Sequence, residues 1–380
     1  MKDIIILLHE PFTRRHCEMY GVDELRSRGF NLTVWDISAY VFPNLRLVDT
    51  LTGLSYVVKL NSVAEFSKRL KQIDVDKTVF FVECVDNWRT RHIYRLMSDA
   101  QCYRVRIDFY ANNIIPEPLS LRLRRLFSPV GPDVLRGKAC RQLMHWYFKV
   151  YHVRPFERLF SSSAISSRTD CINHPDYETY CTQFNPEMAE PLPEGLRAEG
   201  YIVFCDNYFP LHPDFSLYQH KRHMPSAEVY QQTMSRFFDH LETTTGKPVI
   251  VAAHPKSDYQ GNEFGVGRRI IKYRTGQLAV NAYAVILHAS NSVSYAVLAD
   301  RRTLLVTTDG FNSLMRLRVR LQCLGRLLGK TVINLDKDDY RQVELQKIDD
   351  RLRRDYIQTY LTSEATREKR NVDILTEAFA

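Results

Sequence analysis

Short runs of apolar, often β-branched residues recur along this chain, and a helical pattern follows almost every one. The first half carries "DIIILLH" (3–9), "NLTVWDIS" (31–38), "LSYVVKL" (54–60), "KTVFFVEC" (77–84) and "CYRVRIDFY" (102–110). Between them lie the helical stretches "CEMYGVDELRSRG", "SVAEFSKRLKQI" and "WRTRHIYRLMSDA", the second opening on Ser62 as an N-cap. A run without polar alternation is a strand covered on both faces. Strands alternating with helices of this length predict a parallel α/β sheet.

The rhythm then breaks and restarts. Residues 119–160, rich in Arg, Leu and aromatics, predict helices broken near Pro129 and Pro132, with "LFSSSAIS" (159–166) as a late strand. "NPEMAEPLPEGLRAEG" (185–200) packs prolines and acids into a linker. After it come the strands "GYIVFCD", "KPVIVAAHP", "RRIIKY", "YAVILHAS", "RTLLVTT" and "TVINL". The helices "SAEVYQQTMSRFFDHLETTTG", "TGQLAVNA", "NSVSYAVLA" and "NSLMRLRVRLQCLGRLLG" lie among them. The expected organisation is an α/β domain over 1–190, a second over 198–340, and a charged helical tail over 341–380 packing across both. A chain of 380 residues exceeds one ordinary core and is comfortable for two.

Composition narrows the class. No window approaches 18 consecutive apolar residues, and the opening apolar run, Ile4 to Leu8, is too short for a signal peptide. The eight cysteines are scattered singly, with no zinc spacing, which predicts free thiols and a cytoplasmic protein. The net charge of +8 suits an anionic partner. No P-loop, GxGxxG, GxSxG or HExxH motif occurs. The common NTPases, dinucleotide dehydrogenases, hydrolases and zinc proteases are therefore disfavoured.

Ligands of open parallel sheets bind beyond the carboxyl ends of strands. In the second half those positions hold Asp206 with Asn207, then His254-Pro255-Lys256, and His288-Ala289-Ser290-Asn291-Ser292. The last group enters a helix at once, and free N–H groups with serine hydroxyls make an anion site. The competing explanation is an ordinary N-cap serine. Arg269, with Arg268 and Lys272, precedes a further expected N-cap, Thr275. In the first half the positions hold His9 with Glu10, Asp36, Glu83 with Asp86, and Asp108. Leu314, Leu317, Leu321, Leu324 and Leu328 repeat at helical spacing, so the arginines among them are expected on a solvated face. Residues 119–160 could instead lie on an anionic membrane surface.

The stretches "NHPDYETY" (173–180), "FCDNYFPLHPDF" (204–215), "VIVAAHPKSDY" (249–259), "GRRIIKYRTGQL" (267–278) and "VILHASNSVSYAVL" (285–298) resemble GT-B-fold glycosyltransferases of bacterial O-antigen and capsule synthesis. More distantly, the His-Pro pair and the serine-rich turn resemble sialyl- and Kdo-transferases of that fold. The resemblance implies two Rossmann-like parallel-sheet domains facing a cleft. It also implies a nucleotide-sugar donor, CMP-linked in the distant relatives, and a glycan or lipid-linked acceptor, with contact at the inner leaflet of the membrane. His254, Ser290 and Ser292 would hold the nucleotide phosphate, and Asp206, Pro255, Lys256, Arg269, Thr275, His288 and Asn291 complete the candidate donor set. No cofactor or metal is expected. The family's acidic base motif has no clear counterpart here. Glu83 and Asp86 are the first candidates for it, with Glu10 and Asp108 behind. Two rival functions remain: a nucleotide-sugar epimerase or hydrolase of the same fold, and a non-catalytic protein binding nucleic acid or membrane through its arginines. No recognised nucleic-acid motif supports the latter.

Overall fold

A computed structural model describes residues 3–45, 47, 49–113, 132–163, 169–184, 190–213 and 225–380. The linker expected over 185–200 lies partly outside the described residues, as does the start of the 119–160 stretch. The chain forms two compact units, each built on its own parallel sheet. The first unit takes residues up to Phe109, the segment from helix Pro132–Val150 to Asn173, and Ser363–Ala380. The second takes Tyr110–Asn113 and, among later described residues, His174–Thr362.

The first sheet contains β1 (Asp3–Leu8), β2 (Asn31–Asp36), β3 (Val57–Lys59), β4 (Thr78–Glu83), β5 (Tyr103–Asp108), β6 (Arg158–Ser161) and β7 (Asp170–Cys171), in the order β3-β2-β1-β4-β5-β6-β7. β1 is buried from Ile4 to Leu8 because helices cover both faces. On one face Trp35 packs edge-on against Phe66 and Phe80, at 5.4 and 5.6 Å. On the other, Phe379 of the last helix, Asn371–Phe379, meets Phe81 and Phe160 at 5.4 and 6.0 Å.

The second sheet contains β8 (Ile202–Cys205), β9 (Val249–Ala253), β10 (Ile270–Lys272), β11 (Ala284–Leu287), β12 (Arg302–Thr307) and β13 (Val332–Asn334). Its order is β10-β9-β8-β11-β12-β13. Both sheets are parallel throughout, as the recurring apolar runs require. Each reverses its strand order once, between β1 and β4 and between β8 and β11. The tail is two separate helices. Asp350–Tyr356 continues into a π-helical turn, Ile357–Leu361, that packs into the second core. Extended backbone at Thr362 ends it, and Asn371–Phe379 then joins the first unit. Among the described residues no helix is long and apolar enough to cross a membrane.

Candidate functional site

The reversal between β8 and β11 is where a doubly wound sheet opens a crevice at its carboxyl edge. The structure brings Asp206, the His254–Lys256 turn and the Ser290–Ser292 turn to that edge, because they directly follow β8, β9 and β11. Asn207 links the two sides of the reversal: its Nδ2 donates to the Ala289 carbonyl at 3.3 Å.

Asp206 is buried, and its Oδ2 accepts from the Tyr259 hydroxyl at 2.8 Å. Burial pushes its carboxyl up to about 7, against the hydrogen bond from Tyr259 and the backbone N–H groups of Tyr208, His254 and Asn207. Tyr208 sits at φ +53°, in the left-handed region that a non-glycine residue adopts only where its surroundings enforce it. The His254 turn is tight. Nδ1 of His254 accepts from the Lys256 N–H at 3.1 Å, and its ring meets His212 edge-on at 4.6 Å. Pro255 fixes the corner between them. Lys272, at the end of β10, donates from Nζ to the Ser257 carbonyl at 2.7 Å. A pocket of about 360 Å³ lies beside this turn, lined by Ala253, Ser257, Tyr259 and Lys272 among others.

His288 does not face this edge. Its Nδ1 lies 2.6 Å from the Val306 carbonyl, which can only accept, so the proton sits on Nδ1. Nε2 then accepts from the Tyr230 hydroxyl at 2.7 Å, and the ring stacks on Phe311 at 4.6 Å. Burial lowers its pKa to about 4, so it is a neutral core residue. Ser290, three positions beyond the strand end, is the residue that closes the turn: its Oγ accepts from the Ser292 N–H at 3.3 Å. Ser292 occupies the N-cap position but makes no side-chain cap bond. Ser290, Asn291 and Ser292 are all partly exposed.

Arg269 stands apart. It precedes β10, so a parallel sheet puts it at the opposite, amino edge, where it donates to the Glu194 carbonyl at 2.8 Å. Thr275 is the first residue of helix Thr275–Asn281, and the N-cap is Arg274.

In the first unit Glu83 and Glu10 lie at the reversal between β4 and β1. Oε2 of Glu83 accepts from the buried Tyr20 hydroxyl at 2.9 Å, and Oε1 lies 3.9 Å from Nε2 of His16. Burial, then Glu83, raise the Tyr20 pKa well above the usual range. Burial lowers that of His16, while Glu83 pulls the other way. The Glu83 side chain keeps 31% of its surface exposed. Nδ1 of His9 donates to the Glu83 carbonyl at 2.6 Å. Asp86 is held by Arg106 at 2.9 Å, and Asn87 receives the Arg89 and Thr90 N–H groups of the turn that follows. Asp108 ends β5, and its carbonyl receives the Ser162 N–H at 3.0 Å. A pocket of about 410 Å³ opens beyond β2 and β3, lined by apolar Phe42, Leu45 and Leu47 with polar Asp36, Lys59 and Asn61. His16, Tyr20 and Tyr259 carried no strand-end signal, and their place became visible only through Glu83 and Asp206.

No family model matches the chain, and no curated protein sequence does. Among solved structures, it is similar to the Methanocaldococcus jannaschii UDP-GlcNAc 2-epimerase, solved with UDP-GlcNAc and UDP (TM-score 0.49, 11% identity, covering 99% of this chain and 100% of that one). It is also similar to CalG4, the calicheamicin glycosyltransferase (0.48, 14%, 100% and 94%). A third similar structure is Acinetobacter baumannii MurG (0.46, 9%, 99% and 100%).

The Asp206 carboxyl generates a pH test. With its pKa raised to about 7, it keeps its proton in the folded chain, whereas the unfolded chain releases it near 3.8. The wild type therefore loses stability relative to Asp206→Asn as pH rises from about 4 to about 7, and the gap is constant above that. Urea unfolding of both proteins across this range measures it. His288 is common to both and cancels. A gap that does not move between pH 4 and 7 contradicts the raised carboxyl.

Proposed function

We propose that the protein is a GT-B glycosyltransferase. It moves a sugar from a nucleotide donor, CMP-linked on the resemblance drawn above, to a glycan or lipid-linked acceptor in bacterial surface polysaccharide synthesis. The observation that carries this reading is the convergence of Asp206, His254, Lys256 and the Ser290–Ser292 turn on one strand-order reversal.

In such a transfer the acceptor oxygen bonds to the anomeric carbon while the bond from that carbon to the phosphate oxygen breaks. The nucleotide leaves with the electron pair, and the acceptor proton passes to a base. Lys256 and the turn hydroxyls offset the charge that grows on the leaving phosphate. Glu83 is the base: it is anchored by Tyr20 yet partly open to solvent. Asp86 is neutralised by Arg106 and exposed to water. The pocket beside Phe42 and Asp36 supports an acceptor with both an apolar part and hydroxyl groups.

A membrane-bound acceptor is supported by the surface around helix Pro132–Val150. Trp88, Leu143, Trp146 and Tyr151 are exposed there at 43%, 50%, 58% and 40%. Arg91 and Arg95 lie over the Trp88 and Tyr151 rings, each at 4.2 Å. Aromatic residues with arginines favour an anionic lipid interface.

Glu83→Gln should lower transfer by ~10²–10⁴-fold while nucleotide binding persists, and Asp86→Asn should leave transfer near normal. The assay is sugar release from a nucleotide-sugar panel with and without acceptor. Unchanged transfer by Glu83→Gln moves the base to His9, Glu10 or Asp108, and donor turnover that needs no acceptor replaces transfer with hydrolysis. Sedimentation with phosphatidylglycerol vesicles tests the membrane contact: Trp146→Ser should weaken it. Equal binding to neutral phosphatidylcholine vesicles would contradict an anionic interface.

A further inference from the structure

Helix Met315–Leu327 buries Leu321 and Leu324 in the second core, with Leu317 packed against it. That stripe leaves Arg316 and Arg326 exposed to solvent, whereas Arg320 is drawn toward a neighbouring turn. It is only partly exposed, it lies within electrostatic reach of the buried Tyr356, and its guanidinium donates to Oδ1 of Asn291. Among the described residues no carboxylate pairs with it. Three other sheltered arginines of this protein do have one: Arg104 holds Glu157, Arg106 holds Asp86, and Arg268 holds Asp239 and Glu242. Burial works against the Arg320 charge, but a guanidinium stays protonated at any physiological pH. A charge withdrawn from water without a counter-ion is unfavourable unless an anion arrives from outside.

The place of this cation is informative. Its side-chain acceptor among the described residues, Asn291, is in the turn after β11, at the strand-order reversal. Asn291 cannot neutralise it. Ser290 and Ser292, partly exposed, flank the same residue. A planar fork of N–H donors matches phosphate oxygens in pairs. The geometry points to Arg320 as an anchor for a phosphoryl or diphosphoryl group held against the Ser290–Ser292 turn. That this group belongs to a nucleotide sugar rests on the function proposed above; the binding of the anion does not.

The test is isothermal titration of the full chain with inorganic pyrophosphate, UDP, CMP and uridine, in wild type, Arg320→Gln and Arg320→Lys. Wild type should bind pyrophosphate. Arg320→Gln should weaken pyrophosphate and whichever nucleotide binds by about 10- to 100-fold, the span expected for charge-assisted hydrogen bonds. Arg320→Lys should fall between, and any uridine binding should be unchanged. Without ligand, Arg320→Gln should melt no lower than wild type, because it removes an unpaired sheltered charge; a purely structural arginine would lower the melting point. Pyrophosphate that fails to bind wild type, or binds Arg320→Gln equally well, overturns the proposal. Should Arg320→Gln not fold, Arg320→Lys decides: it keeps the charge and loses the fork, so undiminished affinity overturns it. Arg320-dependent pyrophosphate binding with no sugar transfer leaves the anion site standing and removes the transferase. Transfer that survives Arg320→Gln undiminished removes the anion site and leaves the transferase.

Discussion

A parallel strand can follow another only through a crossover, and every crossover returns the chain to the same edge of the sheet. The thirteen strands among the described residues obey that constraint, in two sheets that each reverse order once. The rest follows from it. Residues that trail a strand gather on the carboxyl edge, and only at the reversal do neighbouring crossovers diverge and leave that edge open. In the second unit Asn207 and Ala289 join the two sides of the reversal through one hydrogen bond.

Burial in the second unit produces opposite electrostatic results from one cause, at the strand-order reversal for Asp206 and in the core for His288. It raises the carboxyl of Asp206 to about 7 and lowers the imidazole of His288 to about 4. Near neutral pH, His288 therefore contributes no charge and Asp206 carries only part of one. In the proposed function, positive charge for an anionic ligand is assigned to Lys256, Lys272 and Arg320, whose positions are set by β9, β10 and the helix Met315–Leu327. The candidate site thus combines backbone N–H groups and hydroxyls from one turn with cations from other elements.

Much of this was legible in the residues themselves. The runs "IIILL", "TVFFV", "VIVAA" and "AVIL" form central strands because no polar residue interrupts their burial. Which side chains follow a strand was equally readable, but where each one faces was not. His288 and Ser290 are two positions apart; one ring is committed to Tyr230 and Val306 while the other hydroxyl stays near solvent. Arg269 was grouped with the site although strand direction places it at the far edge. Partners distant in sequence were invisible: Arg106 for Asp86, Tyr20 for Glu83, Asn291 for Arg320. The leucine repeat of Met315–Leu327 correctly gave its buried face, but the periodicity said nothing of an arginine drawn toward a neighbouring turn.

The central claim is that the reversal between β8 and β11 receives a nucleotide. Hydrogen–deuterium exchange of the full chain, with and without saturating UDP or CMP, tests it most directly. For at least one of the two, the account predicts slowed exchange at residues 206–208, 254–257 and 289–293, with the amino edge near Arg269 unchanged. Protection confined to the first unit, or absent with both nucleotides, would contradict it.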